Sequence, residues 1–180
     1  MRIYILSILV LALITTIACA TTAVEKTKEV YLDRGNSYYR SGKYQRAIKD
    51  YNQAIHLDPK FTKAYYNRGL AYGKGKGQFD KAISDYTKAI ELNPKDAMAY
   101  NNRGVTYKHK GQYDKAIADY TKAIEINPKY ALAYYSRGLA YQDKGEYDKA
   151  WEDVHKAQNL GFQVHPGVLE ALREASGRQK

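Results

Sequence analysis

The stretch best placed to do chemistry is Gly73-Lys74-Gly75-Lys76-Gly77-Gln78, where three glycines and two lysines alternate ahead of an apolar, helical-looking segment. A glycine-rich loop that opens a helix can cradle phosphates with its backbone N–H groups. A phosphate loop, however, needs G-x-x-x-x-G-K-[ST] after a strand. Here the spacing, the Ser/Thr and the strand are all missing. The four histidines, His56, His109, His155 and His165, follow no common spacing. HExxH, CxxC and GxSxG are absent from the sequence. The one cysteine, Cys19, lies in an apolar leader, so no internal disulfide forms. These residue types support no nucleophile, no metal centre and no cofactor, and the chain is not expected to be an enzyme.

The first twenty residues, MRIYILSILVLALITTIACA, have the three-part pattern of an export signal. Arg2 supplies the positive start, Ile3 to Ile17 carry no charge, and small residues follow. Two processing routes compete. Ala18-Cys19-Ala20 is an A-x-A site with cleavage before Thr21, which gives a secreted protein. Thr16-Ile17-Ala18-Cys19 resembles a bacterial lipobox, which makes Cys19 a lipidated first residue and the protein a periplasmic or outer-membrane lipoprotein. Thr16 departs from the Leu or Val usual there, and Cys19 also reads as a plain apolar residue in the tail of a signal. Residues 21–27, TTAVEKT, look like a tether.

Tyrosine is used 19 times against three Phe and one Trp, as expected if the same positions recur. They do. Four segments align: 28–61, 62–96, 97–130 and 131–164. Gly35, Gly69, Gly104 and Gly138 recur at one place, as do Ala47, Ala82, Ala116 and Ala150, and then Pro59, Pro94 and Pro128. Each segment shows two apolar stripes of helical period split by a Gly-containing turn. In the third, Tyr100, Gly104 and Tyr107 share one face of a first helix, and Gly104 lets its partner approach. Gly111 ends that helix, Asp114 is placed to cap the next, and Pro128 stops the second helix after Asn127. One such hairpin cannot bury its own apolar face, whereas a stack of them shares a core. Tyr31, Tyr65, Tyr100 and Tyr134 then read as packing residues. Four arginines, Arg34, Arg68, Arg103 and Arg137, recur like a binding ladder, but the stronger reading pairs them with the recurring Asp50, Asp85, Asp119 and Asp153 as surface pairs, each contributing roughly 0–1 kcal/mol. The fourth copy fades, with Val154 in the aromatic place. Residues 165–180 follow as cap and tail, with an amphipathic segment from Pro166 to Ser176 whose Val168, Leu169, Leu172 and Ala175 share a face.

A period of about 34 residues with small, aromatic and Pro positions in this order resembles the tetratricopeptide repeat. The resemblance implies an all-α, right-handed superhelical solenoid of four helix-turn-helix hairpins closed by a C-terminal capping helix. It also implies a concave groove lined by the first helices. The family's groove-facing positions fall on Glu29, Leu32, Asn36 and Tyr39, on Lys63, Tyr66, Leu70 and Gly73, on Met98, Asn101, Val105 and Lys108, and on Leu132, Tyr135, Leu139 and Gln142. An extended peptide or an amphipathic helix suits such a lining, while several of these residues could equally serve to cover neighbouring helices. In the family's carboxylate-clamp subtype cations stand at set positions. Asn36 and Asn67 match its amides, but Leu32, Met98 and Asn102 occupy the cation positions, so that subtype is not expected.

The formal net charge is +10. The first three repeats carry seven, seven and six cations against four, four and three anions, and the fourth carries four against five. The basic side therefore lies next to any lipid anchor, where it suits anionic headgroups or a solvated surface. Nucleic acid is not expected as a partner of an exported chain. The reading favoured is a protein or peptide partner held in an envelope complex. The alternatives are self-association as a structural protein and binding of an anionic envelope polymer. In the glycine-rich stretch, Gly73 and Gly75 are expected to end the first helix of the second repeat early and leave a gap in the groove wall.

Overall fold

A computed structural model describes residues 27–75 and 77–177. The leader, Cys19 and the end of the C-terminal tail lie outside the described residues. Among the latter all regular structure is helical: α1 (27–40), α2 (Tyr44–Leu57), α3 (Thr62–Lys74), α4 (Phe79–Leu92), α5 (Ala97–His109), α6 (Tyr113–Ile126), α7 (Ala131–Asp143), α8 (Tyr147–Asn159) and α9 (Pro166–Ser176). From α3 onward, helices pair into the hairpins α3/α4, α5/α6 and α7/α8. Each hairpin packs its first helix on the second helix of the one before, and first helices of adjacent hairpins also touch, so the chain is a helical-hairpin solenoid.

The turn inside each hairpin has a single design. Gly42, Gly77, Gly111 and Gly145 take positive φ of 70°, 62°, 70° and 77°, where a side chain would be strained. In three copies the next N–H reaches back to the same carbonyl. Lys43 donates to Tyr38, Gln112 to Tyr107 and Glu146 to Tyr141, each at 2.9 Å, which closes a left-handed helix end. In the second copy Gln78 N–H makes the matching bond to Tyr72 at 3.2 Å, across one extra residue. The insertion is thus absorbed after the helix. Contrary to expectation, α3 has the same 13 residues as α5 and α7. Gly73 is an interior residue of α3 with open space where a Cβ would stand, whereas Gly75 lies against Tyr44, whose Cβ is 2.8 Å from that point.

The second helices stop at Asp58, Asn93 and Asn127, each in an extended conformation ahead of a proline. Each side chain then accepts from the N–H two residues on, at 2.9, 3.3 and 3.1 Å, an Asx turn. The expected cap from Asp114 is not made. α6 starts at Tyr113, so Asp114 sits inside its first turn, and the N-cap Gln112 makes no side-chain bond. The Asp114 carboxylate favours that helix end through the dipole and accepts instead from Lys144 Nζ at 2.6 Å.

The core lies between helices and is built on close approach. Ala47, Ala82, Ala116 and Ala150 are fully buried, as are Tyr120 and Val154, with Tyr51 and Tyr86 nearly so. A Cβ on Gly104 would come within 2.7 Å of the Tyr120 ring, which is why a residue without a side chain recurs there. The fully covered tyrosines are therefore those of the second helices. Tyr31, Tyr65, Tyr100 and Tyr134 are half-buried, each with an arginine guanidinium 5.2–5.8 Å from its ring centre. α9 packs on α8 and buries Leu172 completely against Ala150, Trp151 and Val154. His165 Nδ1 accepts from Gly167 N–H and Pro166 takes the first turn.

Candidate peptide-binding groove

The scaffold fixes the groove helices through the four arginines. Arg103 donates Nε and Nη2 to the two carboxylate oxygens of Asp119, at 2.8 Å each, and Nη1 to Thr87 Oγ1 at 2.9 Å. Arg68 and Arg137 repeat this, bridging Asp85 to Asn52 and Asp153 to Thr121. One side chain thus ties a first helix both to its own hairpin and to the preceding one. These are not surface pairs. The Asp side chains are 6–8% exposed and the three arginines 17–18%. Arg34 is 53% exposed and, among the described residues, its hydrogen bonds go to Asp50. Burial pushes the Asp85 carboxyl up, against the pull of Arg68.

On the groove side, two adjoining clefts share Asn36 and Asn67. The larger, of about 600 Å³, runs across α1, α3 and the start of α5. Its wall holds Glu29, Leu32 and Asp33 from α1, Lys63 and Tyr66 from α3, Asn93 and Asp96 before α5, and Met98. The smaller, of about 260 Å³, is bounded by Tyr39, Arg40, Tyr51 and Leu70. Asn36 Oδ1 already accepts from Tyr51 OH at 2.9 Å and from Asn67 Nδ2 at 2.8 Å. Tyr66 OH accepts from Asn102 Nδ2 at 2.7 Å, and its ring meets Tyr86 edge-on. Burial pushes the Tyr66 phenol up to about 12.

Of the expected groove residues, Leu32, Asn36, Tyr39, Tyr66 and Leu70 come together in these clefts, with Leu32 in the floor at 4% exposed. Asn101 is buried in α5 at 1% exposed, and its Oδ1 is unpartnered. Lys108 is tied to Asp143 at 2.8 Å. Tyr135 is covered by Phe162, ring centres 4.7 Å apart, because the chain leaving α8 folds back over it. Val105, Leu139 and Gln142 are half-buried and line neither cleft. Met98 and Leu132 stand out at 55% and 38% exposed. Asp33, Asn93 and Asp96 fall outside the family's groove positions. The one signal for Asp33 was its place one helical turn after Glu29. The cations that line these clefts, Arg40 and Lys63, do not stand at the carboxylate-clamp positions, which Leu32, Met98 and Asn102 occupy. Among the described residues no group of three His, Cys, Asp or Glu could hold a metal ion, and no helix is long and apolar enough to cross a membrane.

These features define a repeat protein of stacked helical hairpins with a concave face. Models of the tetratricopeptide repeat match residues 97–130 and 119–152, and a TPR repeat model matches 35–75 and 76–111, together more than half of the chain. The protein belongs to the tetratricopeptide repeat family. The crystal structure of MamA is similar at 34% identity and a TM-score of 0.71, covering 80% of this chain and 84% of that one. The first TPR of Spaghetti, solved bound to the HSP90 peptide SRMEEVD, is 30% identical with a TM-score of 0.63, over 65% of this chain and 92% of that one. A curated relative, the Protein SGT1 homolog of Oryza sativa subsp. japonica, is 42% identical over 52 residues, 29% of this chain. The chain spans 7–14% of the length of the curated relatives it matches.

Proposed function

We propose that the protein is a non-catalytic interaction scaffold, exported and held at the cell envelope, that takes a peptide or helix of a partner protein into its concave groove. The observation that carries this is the cleft of about 600 Å³ spanning three hairpins, with Met98 exposed on its wall. Exposed apolar side chains beside a polar rim suit an extended or helical segment better than a small molecule. The solved relative with a peptide bound supports the mode of binding. Its acidic peptide does not carry over, because Leu32, Met98 and Asn102 stand where the clamp subtype has its cations.

The test is a pull-down from the protein's own envelope, read by mass spectrometry, with wild type beside Met98→Ser with Leu132→Ser. The proposal expects one partner to be lost from the variant while the thermal melt stays in place. Retention of every partner would overturn it. Loss of binding in moderate salt alone would point to an anionic polymer instead. Intact mass of the exported form decides the anchor: an acyl adduct on Cys19 supports it, and an N-terminus at Thr21 excludes it.

A further inference from the structure

We infer that the N-terminal half of the groove receives a cationic segment, in which a Lys or Arg side chain meets Glu29 and Asp33 while a neighbouring apolar side chain lies on Tyr66 and Met98. This rests on the groove reading above and specifies the chemistry of its occupant.

Charge carries the argument. The chain has 29 Lys and Arg against 19 Asp and Glu, and its first three repeats are each net positive. The larger cleft is the reverse, with Glu29, Asp33 and Asp96 against Lys63 alone. Among the described residues most other carboxylates are matched, the exceptions outside the cleft being Glu152, Glu170 and Glu174 toward the C-terminal end. Four aspartates hold arginines, Asp58 holds Lys28, Asp143 holds Lys108, and Asp80 and Asp114 hold Lys110 and Lys144 of the following repeat. Glu29 and Asp33 have no ion pair among the described residues, although basic side chains are in excess. They sit one helical turn apart, so both carboxylates face the same stretch of cleft. Asp96 is engaged in capping α5, accepting from the N–H groups of Met98 and Ala99 at 3.0 Å each. Two free carboxylates at one edge and exposed apolar surface across the cleft complement a basic, amphipathic segment. An acidic segment would meet like charge at this edge, with Lys63 here and Arg40 in the adjoining cleft as the cations facing it.

The experiment pans a random twelve-residue peptide library, displayed on phage, against the immobilised full chain. Enriched peptides are then synthesised with a fluorophore and titrated. The inference expects Lys or Arg beside an aliphatic or aromatic residue. It further expects about tenfold weaker binding to Glu29→Lys with Asp33→Lys, and tighter binding to Lys63→Glu. The melts of these variants should match wild type, since among the described residues none of the three side chains makes an ion pair or hydrogen bond. Acidic or uncharged peptides that bind less well to Met98→Ser with Leu132→Ser, yet ignore the charge reversals, would overturn the cationic occupant and leave the groove reading standing. Peptides indifferent to both sets of variants, or no enrichment at all, would overturn the groove reading and this inference with it.

Discussion

Arg103 shows how much work one side chain does in this stack. A surface ion pair contributes about 0–1 kcal/mol, and from sequence alone the recurring Arg and Asp look like such pairs. In the fold the Asp119 carboxylate is 8% exposed and takes two bonds from Arg103, whose remaining nitrogen reaches Thr87 across the repeat junction. Removing one partner of a pair so covered leaves the other charge uncompensated. Asp119→Ala should therefore cost about 2–4 kcal/mol in urea denaturation. Thr87→Val removes only the junction bond to Arg103 and leaves the ion pair in place, and about 1 kcal/mol is expected. Equal losses from Asp119→Ala and Thr87→Val would contradict a covered ion pair. Gly73 inside α3 and Gly75 at its C-cap are a second contrast. Gly73→Ala adds a methyl into open space within a helix and should raise stability by about 0.5–1 kcal/mol. Gly75→Ala drives a methyl into the Ala71 carbonyl oxygen and Tyr44, each 2.8 Å away, and should lower it. Thermal melts of the two variants moving in the same direction would contradict these placements.

Helix ends were the most legible elements, because few residue types satisfy them. The left-handed turn glycines and the Asp/Asn-Pro stops could be read from recurrence alone. Asp114 misled, since its type suits a cap while the turn actually ends two residues earlier, at Gln112, and leaves the aspartate inside the helix. The shortening expected of α3 failed for a related reason. A local propensity argument does not see that the extra residue can be taken up in the turn while the bond to the Tyr72 carbonyl survives. The closing helix was legible from its amphipathic face, and Leu172 is what fastens it. Truncating a fully buried leucine costs about 2–5 kcal/mol. Leu172→Ala should uncover Trp151, the one tryptophan of the chain, whose Nε1 donates to Ser176 at 3.2 Å. The expected readout is a red-shifted tryptophan emission at denaturant concentrations where far-ultraviolet ellipticity is still native. Coincident loss of both signals would mean that α9 is not a separable cap.

At the scale of the whole molecule, the stack follows from the period, because hairpins with one apolar face must bury it against copies of themselves. The groove was half legible. Family positions found Leu32, Asn36, Tyr39, Tyr66 and Leu70, but Phe162 folding over Tyr135 and the acid at Asp33 depend on contacts that no repeat pattern encodes. The stack also gives the molecule a collective response to pH. Its buried phenols are distributed over successive hairpins. Burial pushes Tyr66 up to about 12 and raises Tyr51, Tyr86 and Tyr120 as well, from an ordinary value of about 10. The native state then holds these protons more tightly than the unfolded chain does. Their contribution is complete below about pH 10 and is lost as pH rises through the native values. Urea midpoints should be level with respect to these groups up to about pH 10 and then fall steadily, and they should fall less in Tyr51→Phe with Tyr120→Phe, which removes two of the titrating phenols. An ultraviolet titration of wild type should show this buried set ionising only above about pH 10, together with loss of helix. A single tyrosinate wave near pH 10 with helix intact would mean that these phenols are open to solvent, and that the hairpins do not pack as described.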